Sequence, residues 1–234
     1  VAETAIASKF AHIFQRLGRL GFSGRGLNCV FHGDKSIMPC HLASGGDPGD
    51  SLIVTTSRGQ FDMGPMEMIK CKKITDFDLV VGQLPKDMQP FKSTNIMRKP
   101  KMDEDVVIIT LKRDKGKMLI RTSDTSKIYK ADDKYAHLWV HFIKSESGDC
   151  GSPIVALSDN KIVGFHSGMI KDKLGVFLRS VFTPVNDELL RTLNEKSEMN
   201  DFWKFNQDAI SWNAVIKTSS LFPVMKDILG VHLQ

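Results

Sequence analysis

Apolar residues along this chain come in short runs separated by turn-forming residues, a grain that predicts strands through roughly the first three quarters. Leu52-Ile53-Val54-Thr55-Thr56, Val106 to Leu111, Lys117 to Ile120 and Leu138-Trp139-Val140 are apolar or β-branched stretches of this kind. Ser158-Asp159-Asn160 separates Ile154–Leu157 from Lys161–Gly164 and reads as a hairpin turn, because Asp and Asn tolerate left-handed backbone. Beyond it the grain changes. Thr183 to Leu193 predicts a helix with Thr183 as its cap, Pro184 in the first turn and Asp187 and Glu188 near the N-terminus. Near the start, Phe10, Ile13, Phe14 and Leu17 keep helical spacing, so helix and strand both stay open over residues 7–17.

Size and composition bound the fold without choosing the chemistry. A chain of 234 residues with 41% hydrophobic content fits one large domain or two of about a hundred residues. Its four cysteines, at 29, 40, 71 and 150, form no C-x-x-C pair. Beyond the weak Cys29-x-x-His32 there is no zinc-like spacing, so neither a disulfide framework nor a metal or other cofactor is expected. No run approaches a membrane span and no basic-then-apolar leader is visible, which predicts a soluble, intracellular protein with no membrane partner.

Candidate chemistry centres on Gly148-Asp149-Cys150-Gly151-Ser152-Pro153 and, after an apolar run, Gly164-Phe165-His166-Ser167. A cysteine flanked by glycines suits a tight turn that presents the thiol beside converging amide N–H groups, the arrangement acyl transfer needs. Taken alone, the same residues equally describe a buried cysteine in a glycine-rich turn. Two partners lie upstream: His41, where Ser36-Ile37-Met38 hands over to a loop or short helix, and Asp78, just before Leu79-Val80-Val81. The order His, Asp, nucleophile is that of chymotrypsin-type double barrels. Asp76 is the rival acid, since strand alternation would place it on the same face as Asp78.

These blocks, together with Ser51-Leu52-Ile53-Val54, Arg58-Gly59-Gln60-Phe61, Leu84-Pro85-Lys86-Asp87 and Trp203-Lys204-Phe205-Asn206 with Asp208 and Trp212, are similar to those of the nuclear-inclusion-a (NIa) protease of the potyvirus family. The resemblance runs from about Gly26 to Trp212. Asp149, Pro39-Cys40 and the first twenty residues depart from the usual family pattern, which bears on the cleavage sequence rather than the reaction class. The resemblance implies an all-β chain of two antiparallel six-stranded β-barrels with a few short, mainly C-terminal helices, and a strand near residues 7–17. It divides the chain into residues 1–115 carrying His41 and Asp78, residues 116–215 carrying Cys150 and the specificity pocket, and a tail of residues 216–234.

The implied activity is that of a monomeric thiol endopeptidase that processes a viral polyprotein in the host cytoplasm or nucleus, cutting after Gln or Glu. His41, oriented by Asp78, would draw the proton from Cys150, and backbone amides of Gly148, Asp149 and Cys150 would hold the oxyanion. Ser145 and His166 would bind the side-chain amide of the residue before the cut. His137 and His141 read as ordinary strand residues, and Trp203 and Trp212 as core. The chain ends in Val231-His232-Leu233-Gln234, a terminus that self-release would leave and that would also serve as a weak product inhibitor.

Charge opens another reading. The net charge is +5, with clusters at Arg98-Lys99-Pro100-Lys101, Lys112-Arg113, Lys115, Lys117 and Arg121. Weak non-specific RNA binding on a protease-like scaffold would use such a face, whereas Asp103, Glu104, Asp105 and Asp114 interrupt it. An inactive protease-like binding module is the third reading, and the intact His41, Asp78 and Cys150 oppose it.

Overall fold

The computed structural model describes residues 8–131, 138–172, 174–206 and 228–233. It is an almost entirely β molecule of two antiparallel sheets. The first is built from β1 (Leu17–Phe22), β2 (Arg25–His32), β3 (Lys35–Pro39), β4 (Ser51–Thr56), β5 (Gly59–Pro65), β6 (Lys70–Lys73) and β7 (Leu79–Gln83). The second holds β8 (Asp105–Asp114), β9 (Lys117–Thr122), β10 (Ser126–Lys127), β11 (Tyr129–Lys130), β12 (Trp139–His141), β13 (Pro153–Ala156), β14 (Ile162–Asp172) and β15 (Phe177–Pro184). Two late strands return to them: β16 (Asn200–Asp201) pairs with β6, and β17 (Ile228–Leu233) pairs with β14. Among the described residues these additions bring the two sheets to eight and nine strands.

The strands alternate as a half-buried pleat should, yet many are buried on both faces because each sheet curls around a core and also packs on the other. Leu20, Phe31, Met38, Val54 and Val80 fill the first interior, and Ile108, Ile154, Val163 and Phe182 fill the second. A third cluster joins Leu17, Val30 and Ile37 of the first sheet to Ile109, Val155 and Phe165 of the second. That shared layer fixes one sheet against the other.

The open segment at the start holds both elements, and the later helix differs from its expected cap. Over residues 7–17 helix and strand succeed one another: α1 (Ala11–Phe14) is followed by β1, and Phe10, Ile13 and Leu17 all enter the shared core. The later helix, α2 (Asp187–Asn194), is capped by Asn186, whose side chain accepts from the Leu189 amide at 2.9 Å. Thr183 and Pro184 instead finish β15, where Thr183 pairs with Phe165. Strand pairing with β14 therefore overrode a plausible local cap. No described helix is long and apolar enough to cross a membrane.

Candidate active site

Register in the first sheet brings the base to its acid. Pro39, the last residue of β3, lies opposite Leu79, the first of β7, so the residues just beyond that pairing meet. His41 follows in a 3-10 turn, Cys40–Ala43, and Asp78 immediately precedes β7. The carboxylate grips the histidine twice: Oδ2 lies 2.5 Å from Nδ1, and Oδ1 accepts the His41 main-chain N–H at 2.9 Å. Both side chains are buried. Arg25 holds the turn from outside, donating Nη1 to the carbonyls of His41, Leu42 and Ser44. Asp76, the rival acid, sits exposed in a turn with φ +64, so the strand alternation that would align it with Asp78 is absent.

Cys150 belongs to no strand. It occupies the turn before β13, between Gly148 (φ +92) and Gly151 (φ +85), a conformation L side chains rarely adopt. A Cβ on Gly151 would stand 2.0 Å from the Asn28 carbonyl oxygen. The turn is held by the other sheet: the Asn28 amide donates to the Cys150 carbonyl at 2.9 Å, and Asn28 Nδ2 and Arg19 Nη1 both donate to the Gly148 carbonyl, at 3.2 and 2.6 Å. Asn28 Oδ1 accepts from the Leu111 amide at 2.8 Å, which ties the same residue to β8. On its own side, Gly151 donates to the His166 carbonyl at 2.8 Å.

These contacts set Cys150 Sγ 3.8 Å from His41 Nδ1. Because Nδ1 is the nitrogen that meets Asp78, Nε2 is the ring nitrogen left to accept a proton. Burial first, and then the Asp78 charge, push the Cys150 thiol well above its usual range, with the Gly151 amide and Arg25 opposing. The resting nucleophile is a neutral thiol. His41, Asp78 and Cys150 are also the group of metal-ligating residue types brought together among the described residues, all buried. An imidazole, a carboxylate and a thiol linked in sequence suit proton transfer and nucleophilic attack.

The oxyanion assignment needs one correction. The Asp149 amide donates to the Glu146 carbonyl at 3.1 Å, and its carboxylate accepts from the Glu146 amide at 2.8 Å, so it is committed to closing the turn. The Gly148 and Cys150 amides have no backbone acceptor among the described residues.

His166 lies on β14 and Ser145 before the nucleophile turn, both buried. Ser180 Oγ donates to the Ile143 carbonyl at 2.9 Å and lies 3.0 Å from Ser145 Oγ, which ties Ser145 to β15. His141, an ordinary strand residue by sequence, stands behind His166. Its Nδ1 accepts the Ile143 amide at 3.1 Å, and its Nε2 lies 3.2 Å from His166 Nδ1. His141 therefore carries its proton on Nε2 and donates it, which places the proton of a neutral His166 on Nε2. Burial, reinforced by His166, lowers His141 well below the usual histidine range and keeps it neutral. Sequence offered little signal for His141, whereas Asn28, a lone amide within Leu27–Phe31, was at least a polar break in an apolar strand.

Trp203 is half-buried against the first core. His137 and Trp212 lie outside the described residues, as does Gln234. Cys29, Cys40, Cys71 and Cys150 are all buried thiols. In the basic clusters, Arg98 pairs with Glu104 and Asp159, Lys99 with Asp187, Lys112 with Glu146 and Asp149, and Arg121 with Asp114.

The family model described as Peptidase family C4 matches residues 4–229. The genome polyprotein of Sweet potato mild mottle virus is 31% identical over 233 residues, covering 99% of this chain and 7% of that polyprotein. That of Triticum mosaic virus is 33% identical over 207 residues, covering 88% and 6%. The chain thus spans a small fraction of the curated relatives it matches. Among solved structures, catalytically active Tobacco Etch Virus protease complexed with product aligns with a TM-score of 0.72 at 25% identity, over 84% of this chain and 85% of that one. Tobacco vein mottling virus protease aligns with a TM-score of 0.73 at 24% identity, over 85% and 90%, a likeness of fold.

Proposed function

The chain belongs to Peptidase family C4, the chymotrypsin-like cysteine proteases of potyvirus NIa type, and on that footing we propose that it is a polyprotein-processing endopeptidase that cuts after glutamine. The carrying observation is the buried cluster of Asp78, His41 and Cys150, with Asp78 Oδ2 2.5 Å and Cys150 Sγ 3.8 Å from His41 Nδ1. His41 Nε2 takes the thiol proton as Sγ attacks the carbonyl carbon, and the oxyanion forms against the Gly148 and Cys150 amides. The imidazolium then protonates the leaving amine. A water activated by the same histidine hydrolyses the thioester.

Two features support glutamine. A neutral His166 with its proton on Nε2 donates to the side-chain carbonyl, and Ser145 accepts from the NH2 group. A carboxylate would meet the serine oxygen without a hydrogen to offer, and an aliphatic side chain would offer neither an acceptor to His166 nor a donor to Ser145. The edge of β14 supports an extended acyl-side peptide: β17 lies there antiparallel, Leu233 opposite Gly168 and Ile228 opposite Asp172, so its C-terminal end runs toward His166. RNA binding loses support because Arg98, Lys99, Lys112 and Arg121 are engaged with carboxylates.

The test is cleavage of a fluorogenic peptide carrying Val-His-Leu-Gln before a small residue, beside versions with Glu or Leu for Gln. Cutting after Gln by the native protein, none by Cys150→Ala, and a loss of at least about 10-fold for Glu or Leu are expected. Equal cleavage of the three peptides would reject the pocket assignment, and cleavage by Cys150→Ala would reject the nucleophile.

A further inference from the structure

The surface continues past the nucleophile turn on the His41 side. Between His41, Ser147 and Gly148 it opens into a depression of about 330 Å³ walled by Arg19, Arg25 and Leu27. This shares Arg19 and Arg25 with a second depression of about 640 Å³ that runs along β1 and β4 to Arg113. His166 and Ser145 line neither. Direction follows from the chemistry: the leaving amine receives its proton from His41, so the chain after the cut departs on His41's side, over the first sheet.

The walls are unusually cationic. Arg19 and Arg25 spend Nη1 on main-chain carbonyls, and their Nε and Nη2 groups have no protein acceptor among the described residues. Arg98 and Arg121 pair with carboxylates, but among the described residues Arg19, Arg25 and Arg113 pair with none. Asp50 lines the same floor and accepts a hydrogen bond from Ser23 Oγ at 2.5 Å. Asp149 is near Arg19 but is bound by Lys112 at 2.8 Å. Burial costs Arg19 and Arg25 part of their solvation, which an anionic ligand would offset.

Resting on the peptidase reading, we propose that this groove is the leaving-side subsite and that it selects peptides with Asp or Glu in the second to fourth positions after the cut. Guanidinium forks match carboxylates geometrically, so the selectivity is for acidic side chains, and its strength falls with salt.

The experiment uses peptides identical through the cut with Asp, Ala or Lys at those positions, measured as kcat/KM, and as binding of the uncleaved peptides to Cys150→Ala protein. The acidic peptide should exceed the alanine peptide by about 5-fold at low salt and the lysine peptide by more, with the differences compressed in high salt. Arg113→Glu should narrow or invert the acidic-to-lysine ratio, a readout that a general loss of activity does not move. Equal binding of the three peptides would overturn the subsite. So would displacement of the acidic peptide by an RNA oligonucleotide with no peptide preference, which would mark a general polyanion surface. If acidic peptides bind preferentially while no peptide is cut, the groove's preference for acidic peptide stands, and the peptidase reading falls together with the leaving-side assignment.

Discussion

The two arms of the site are built by different means. His41 and Asp78 come from one sheet, where the pairing of Pro39 with Leu79 places them together and two hydrogen bonds lock the histidine. Cys150 sits in an irregular turn of the second sheet and is positioned by Asn28 and Arg19 of the first. Register tolerates much, because many ladder bonds must fail before it slips. A turn held across an interface depends on a few contacts and on backbone that only glycine adopts without strain. Small changes should therefore damage the nucleophile arm more than changes of similar size elsewhere.

The largest effects come from the reacting groups, on which both arms converge. Cys150→Ala and His41→Ala should each lower kcat/KM by at least about 10³-fold, with melting close to native for Cys150→Ala and lowered for His41→Ala, which strips a partner from the buried Asp78 carboxylate. Retained turnover in either variant would sink the mechanism. Asp78→Asn should cost less, about 10²-fold, because a thiol needs less help than a serine hydroxyl. Exposed Asp76→Asn should stay within about 2-fold, as asparagine accepts its left-handed backbone. The reverse ranking would reassign the acid.

Gly151→Ala against Gly45→Ala tests the comparison directly. Both glycines have positive φ, but a Cβ meets nothing within 4 Å at Gly45 and strikes the Asn28 carbonyl at Gly151. Denaturant melts should give a loss of about 1 kcal/mol for Gly45→Ala and about 2–4 for Gly151→Ala, with activity falling only in the second. Equal losses would mean that the turn can shift freely.

His141→Phe should reduce the preference for Gln over Glu by about 10-fold, since His166 loses the donor that fixes its tautomer. The same residue sets an acid limit. Its folded pKa lies below the unfolded value of about 6.5, so the unfolded chain binds more protons below that pH and the stability contribution, present above it, is lost as pH falls. His32, lowered mainly by burial, adds in the same direction. Melting from pH 7 to pH 5 should show the decline, and His141→Phe should flatten it; an unchanged slope would remove His141 as its cause. In alkali the sign reverses: burial and then Asp201 raise Cys71 to about 12, so above about pH 9 the unfolded chain ionises first and stability falls.

The smallest effect concerns the β14 edge. Removing residues 228–234 should lower apparent KM about 2- to 5-fold without changing kcat, because a competing strand leaves the site and the chemical step is untouched. An unchanged KM would mean that β17 and the substrate do not share that edge.

Local sequence determined the elements and the chemistry that need only neighbours. Short apolar runs between turn residues set most strands, Asn160 with φ +58 closes the predicted hairpin, and Gly148 and Gly151 mark the turn that carries the thiol. The positions of His41 and Asp78 beside apolar strands were visible for the same reason. Tertiary structure alone decided the rest: Asn186 instead of Thr183 as the helix cap, the withdrawal of the Asp149 amide into its own turn, and the roles of Asn28, Arg19 and His141. Each depends on which residue arrives opposite from a distant part of the chain. A hydrogen bond between residues 28 and 148 leaves no periodicity in either segment, because its partner is selected by the packing of two sheets across a shared core.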